Sequence, residues 1–230
     1  MFSRRTQWES SSNRLSEILG ARRSSLRRVI DLTVSNPTDC GFSYPAEQIL
    51  GALSGTESLV YRPDPHGLPS AREAVSAYYR GRGLEIDVED IFLTASTSES
   101  YSLLFRLLCN PEDTVVVPTP SYPLFDYLAG INDVRTGQYR LVHNDRWRID
   151  MDSLRKAMIR SVRAVLVVDP NNPTGMFLST GERKDVSAIT SHHGAALIVD
   201  EVFNEYRFDV NPGPGATAPV TSANPGQPAD

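Results

Sequence analysis

Four short runs along the chain are apolar at nearly every position: Ile91–Thr94 (IFLT), Thr114–Val117 (TVVV), Ala164–Val168 (AVLVV) and Ala196–Val199 (ALIV). Continuous apolarity, as opposed to alternation, marks strands covered on both faces. Between these runs the period changes. Ala71, Ala74, Val75, Tyr78 and Tyr79 recur at helical spacing, with Pro69 near the start and Gly81 and Gly83 beyond the end. Tyr101, Leu104, Phe105 and Leu108 make a second stripe, and weaker helical patterns cover 152–160 and 182–190. Strands alternating with helices at this spacing predict βαβ units with right-handed connections. The predicted class is α/β: three α/β/α layers around a mostly parallel sheet.

Composition narrows the range of functions. A net charge of -5 argues against a nucleic-acid binder. Two cysteines, Cys40 and Cys109, cannot build a disulfide framework, so a reducing, cytoplasmic setting is expected. No apolar run is long enough to span a bilayer. The first thirty residues hold seven arginines against two acids, Glu9 and Glu17. That bias is shared by mitochondrial presequences, but Leu15, Ile18 and Leu19 fall on one helical face, and an amphipathic N-terminal arm is the simpler expectation. Residues 1–45 are expected to form this arm and helix, 46–210 an α/β domain, and the Pro/Gly-rich 211–230 a flexible tail.

Chemistry is expected where the strands end, because ligands of parallel sheets bind beyond the carboxyl ends. "LTASTSES" (93–100) leads from one run into a helix, whose free N–H groups suit a phosphate; Ser96 and Glu99 also have the spacing of an ordinary helix cap. "PTPSYPLF" (118–125) holds Tyr122 among prolines, either as a core tyrosine or as a ring presented for stacking. "VVDPNNPTG" (167–175) crowds Asn171 and Asn172 between rigid residues, and "IVDEVFNEY" (198–206) ends an apolar strand on Asp200 with no basic residue close by. A carboxylate there requires a partner, and a protonated ring nitrogen would supply one. Each stretch alone has a bland explanation, but the set describes a flat, phosphorylated, pyridine-like ligand. Other classes lack their signatures. Gly81 and Gly83 follow a helix where a dinucleotide site needs a strand, there is no G-x-S-x-G elbow, and His192 and His193 are adjacent and cannot face one metal.

With "DLTVSNPT", "YRPDPHGLPSAREAV", "LTASTSES", "PSYP", "NNPTG" and "IVDEVF" in this order, residues 31–206 resemble the class I/II aminotransferases, pyridoxal 5'-phosphate enzymes of fold type I. The resemblance implies an incomplete large domain of that fold and roles for particular residues. Asn172 would bond the phenolic oxygen of the cofactor and Asp200 its pyridine nitrogen. Tyr122 would stack on the ring, and Ser96, Thr97 and Ser98 would hold the phosphate. Tyr61 would reach the phosphate of a partner subunit, implying a homodimer, and Ser35 and Asn36 would lie toward the substrate carboxylate. Phe203 stands where many members carry a second tyrosine. The family's lysine that bonds the cofactor follows the Asp200 position, whereas Lys156 and Lys184, the two lysines of this chain, precede it. The expectation is therefore an aminotransferase by family, acting on an amino acid and a 2-oxo acid, with no catalytic lysine in this chain and no activity from it alone. The alternative is a non-catalytic fragment that binds cofactor or a partner subunit. The rigid turns also predict cis peptides at Asn172–Pro173 and Thr119–Pro120.

Overall fold

A five-stranded sheet organises the computed structural model, which describes residues 2–6, 8, 13–25, 28–30 and 36–206. The strands are β1 (Thr114–Thr119), β2 (Arg135–His143), β3 (Trp147–Ile149), β4 (Val162–Val168) and β5 (Ala196–Asp200), in the order β3-β2-β1-β4-β5. β1 pairs in parallel with β2 and β4, β4 pairs in parallel with β5, and the short β3 turns back antiparallel on β2. The helices are α1 (Arg14–Ser24), α2 (Ala46–Leu53), α3 (Pro69–Arg80), α4 (Thr97–Leu108), α5 (Leu124–Ile131), α6 (Met151–Ala157) and α7 (Thr180–His192).

The unbroken apolar runs serve two cores at once, because successive strand side chains face opposite ways. Val115 and Val117 of β1 and Ala164, Leu166 and Val168 of β4 pack against Tyr101 and Phe105 of α4 and Phe125 and Leu128 of α5. Val116, Val165 and Val167 face the other way, onto Leu154 of α6 and Val186 of α7. This is the expected three-layer α/β/α arrangement with a mostly parallel sheet. Caps set where the helices begin. Ser96 accepts from the Glu99 N–H at α4, Asp150 from the Ser153 N–H at α6, and Ser179 with Glu182 forms a reciprocal capping box at α7.

The structure corrects one expected strand. Ile91–Thr94 forms no ladder; its backbone bonds run from the Ile91 N–H to the Val88 carbonyl (3.3 Å) and from the Leu93 N–H to the His66 carbonyl (2.9 Å), and Phe92 is exposed. An apolar run becomes a strand only when another strand lies beside it, and among the described residues none does. Conversely, β2 carries no continuous apolar run. Its inward residues, Tyr139 and Leu141, alternate with outward ones, and Gly137 lets it approach β1, where a Cβ would meet Thr114 Cγ2 at 3.2 Å.

By internal contacts residues 7–64 form one compact unit and the rest of the chain another. The first unit contains α1 and α2, neither of which buries a residue; Leu15 and Ile18 of the expected apolar arm face are exposed. The expected tail at 211–230 lies outside the described residues. Among the described residues no helix is long and apolar enough to cross a membrane.

Candidate cofactor site

Chain order locates the site. From β1 the chain passes through α5 to β2 on one side, whereas β4, on the other side of β1, continues through α7 to β5. Connections leaving two neighbouring strands in opposite directions open a crevice at their carboxyl ends. Into this region lead Pro120–Tyr122 after β1, Asp169–Asn172 after β4 and Asp200 at the end of β5.

The turn after β4 divides its two asparagines between two tasks. Asn171 is buried and holds the turn: its Oδ1 accepts from Thr174 Oγ1 (2.8 Å), its N–H donates to the Met176 carbonyl (2.8 Å) and its carbonyl accepts from Gly175 (2.7 Å). Asn172 is exposed, with its side chain unbonded among the described residues, and so is available to a ligand. The peptides at Thr119–Pro120 and Asn172–Pro173 are cis, as expected, and so is Asp169–Pro170. At the base of the turn the Asp169 carboxylate, fully buried, accepts from the Leu178 N–H (3.0 Å) and pairs with Arg183 of α7.

Asp200 is half-buried and lies opposite Val168 in the β4–β5 ladder, its carbonyl accepting from the Asp169 N–H (2.9 Å). Its Oδ1 accepts from the Val202 N–H (2.9 Å), and its Oδ2 accepts from the hydroxyl of Tyr101. The sequence offered Asp200 no nearby cation, and the structure supplies a phenol from α4. Burial, and then the bond to Asp200, push the Tyr101 hydroxyl far above its ordinary value, so it stays a proton donor. The Tyr101 ring meets Phe125 edge-on at 5.3 Å, and Phe125 meets Tyr122 edge-on at 5.9 Å. Tyr122 and Asp200 therefore approach one aromatic cluster from two strand ends.

The same helix carries the expected phosphate positions. Ser96 caps α4 by accepting from Glu99, while Glu99 accepts from the Ala95 N–H (2.6 Å). The N–H groups of Thr97 and Ser98 are left without an acceptor among the described residues, as the first turn of a helix dictates. Ser98 and Tyr101 are three residues apart, about 4.5 Å along the axis.

The residues fit pyridoxal phosphate. Among the described residues three buried side-chain polar atoms lack a hydrogen-bond partner; Arg148 Nε lies in β3, whereas Ser121 Oγ and Asn171 Nδ2 sit in the turns after β1 and β4. The free N–H groups at α4 suit a phosphate, and both Asp200 oxygens retain lone pairs for a ring N–H. The remaining expected residues belong to the other compact unit. Tyr61 is highly exposed there. Asn36 caps a short 3-10 helix, accepting from Thr38 Oγ1 (2.7 Å) and donating to Asp39 (2.9 Å). Ser35 lies outside the described residues. Lys156 of α6 and Lys184 of α7 are both exposed, on the layer across the sheet from Tyr101. Sequence reasoning treated Tyr101 as a core residue and missed its hydroxyl; a hydroxyl-bearing ring in an otherwise wholly apolar stripe was the available signal.

Comparison with known proteins agrees with the geometry. The model of the family "Aminotransferase class I and II" matches residues 27–219. Glutamate-pyruvate aminotransferase AlaA of Escherichia coli (strain K12) is 28% identical over 183 residues, 79% of this chain and 45% of that protein. S-alkyl-thiohydroximate lyase SUR1 of Arabidopsis thaliana is 26% identical over 166 residues, 72% of this chain and 36% of that one. Among solved structures, alanine aminotransferase from Pyrococcus furiosus superposes with a TM-score of 0.75 at 28% identity, covering 88% of this chain and 52% of that one. The chain thus spans about half the length of the relatives it matches or less. A family match over most of the chain and a shared fold lead to one conclusion: the protein belongs to the class I and II aminotransferases.

Proposed function

We propose that these residues grip pyridoxal 5'-phosphate for amino-group transfer between an amino acid and a 2-oxo acid. The observation that carries this reading is the meeting of Asp200, Tyr101, Phe125 and Tyr122 at the carboxyl ends of β1 and β5, beside the free start of α4. When bound, the cofactor supplies a protonated ring that accepts the electron pair released as a substrate loses its α-proton. Asp200 holds the proton on the ring nitrogen. Tyr122 covers the ring face, Asn172 bonds the phenolic oxygen, and Ser96, Thr97 and Ser98 receive the phosphate. Tyr61 serves the phosphate of a partner subunit in a homodimer, and Ser35 and Asn36 serve the substrate carboxylate. Lys156 and Lys184, exposed on α6 and α7, take no part in this grip. Two free cysteines, Cys40 and Cys109, accord with a cytoplasmic setting.

Titration of the purified chain with pyridoxal phosphate, followed by ring absorbance and equilibrium dialysis, tests this. One saturable site per chain is expected. Asp200→Ala should weaken it by about 30-fold or more, as loss of a buried charge partner does, and Asn172→Ala by about tenfold. Equal affinity in all three proteins, with borohydride trapping the ligand only on Lys156 and Lys184, would overturn the reading.

A further inference from the structure

We propose that Tyr101 is a positioning residue for Asp200: its phenol, an uncharged donor, fixes the carboxylate that faces the ring nitrogen of the cofactor. The inference rests on the cofactor reading above and goes beyond it by naming what orients the acid.

Asp200 is held at both oxygens. The Val202 N–H donates to Oδ1 from the chain's own next turn, and the Tyr101 hydroxyl donates to Oδ2 from α4. Two donors of different origin fix both the position and the plane of a carboxylate, which a single donor would leave free to turn about χ2. Neither donor carries a charge. The Asp200 carboxylate thus keeps its attraction for a cationic ligand, whereas an arginine in the same place would compete with the ring nitrogen. Tyr101 is itself fixed. It is buried, and its ring packs edge-on against Phe125 and lies 6.1 Å from Phe105 one turn along α4. Its hydroxyl is kept protonated by burial and by the carboxylate, so it remains a donor throughout the physiological range. Because α4 also begins with the free N–H groups of Thr97 and Ser98, one rigid helix sets the phosphate end of the site and, through Tyr101, the nitrogen end.

The test compares wild type, Tyr101→Phe, Asp200→Asn and the double variant in binding two ligands. One ligand is pyridoxal phosphate, and the other is its carbocyclic analogue with C–H in place of the ring nitrogen. Tyr101→Phe keeps the packed ring, and an unchanged urea midpoint, within the cost of one hydrogen bond, confirms that the fold is retained. Tyr101→Phe should bind pyridoxal phosphate about tenfold more weakly, bind the carbocyclic analogue as wild type does, and shift the absorbance of the bound ring. On the Asp200→Asn background it should have no further effect. Equal weakening toward both ligands would make Tyr101 merely structural and overturn the proposal, as would wild-type affinity and spectrum in Tyr101→Phe. If wild type binds neither ligand, the cofactor reading itself fails and this inference with it, which is a separate outcome.

Discussion

The ion pair under the asparagine turn can be tested without any ligand. Asp169 is fully buried as a side chain, and its partner Arg183 is 14% exposed. Asp169→Ala removes the bond from the Leu178 N–H and the ion pair with the mostly buried Arg183. Breaking a buried pair by deleting one partner costs about 3–5 kcal/mol, most of it from the charge left behind. At an m-value of ~2 kcal/mol/M, a loss of ~3 kcal/mol lowers the urea midpoint by about 1.5 M. Asp169→Asn keeps an acceptor for Leu178 and should cost less. Arg183→Met should cost nearly as much as Asp169→Ala, because it breaks the same ion pair. The double variant Asp169→Asn with Arg183→Met removes both charges of the pair and should be more stable than the summed single losses by about 2–3 kcal/mol. Urea unfolding followed by circular dichroism measures the four variants against wild type. Additivity within about 0.5 kcal/mol would show that the two groups do not interact and that the base of the turn is held by something else.

Further expectations concern the frame around the site. Ser179→Ala should remove about 1 kcal/mol through loss of the α7 cap. Burial raises the Glu182 carboxyl, but bonds from Ser179 and Arg146 outweigh it and hold the group below the ordinary carboxylate range. A lowered folded value contributes stability above the unfolded value that is lost as pH falls through the folded one. The stability gap between wild type and Glu182→Gln should therefore be largest near neutral pH and close in acid, which urea titrations across that range would show. Gly67 has φ +94°, and a Cβ there would lie 2.6 Å from Leu93 Cβ, so Gly67→Ala should destabilise by at least 1–3 kcal/mol. Gly130, in α5 with open space at its Cβ position, should instead gain about 0.5–1 kcal/mol on change to Ala. Tyr139→Phe, which loses a buried bond of 3.1 Å to the Leu166 carbonyl, should cost about 1 kcal/mol in thermal or urea unfolding.

Much of the architecture was legible because it depends on local pattern. Continuous apolarity identified β1, β4 and β5, since a strand covered on both faces has no polar side. Helical spacing located α3, α4, α6 and α7, and Ser96 with Glu99 announced the cap of α4. The same signal misled at Ile91–Thr94, where apolarity reported burial of Ile91 but not a neighbouring strand. It missed β2, whose half-exposed face breaks the run. Motif order was enough to suggest the family, because each motif keeps a fixed place relative to a strand end.

What the sequence determined by itself, then, was which segments are strands and helices and which chemistries stand at their ends, as both follow from contacts between near neighbours in the chain. Only the tertiary structure decided that Asp200 meets a phenol 99 residues away and that Asp169 meets Arg183. It also decided that, of two adjacent asparagines, Asn171 holds the turn while Asn172 is left free. A hydrogen-bond partner is chosen by distance in space, and strand order, which no local pattern encodes, sets that distance.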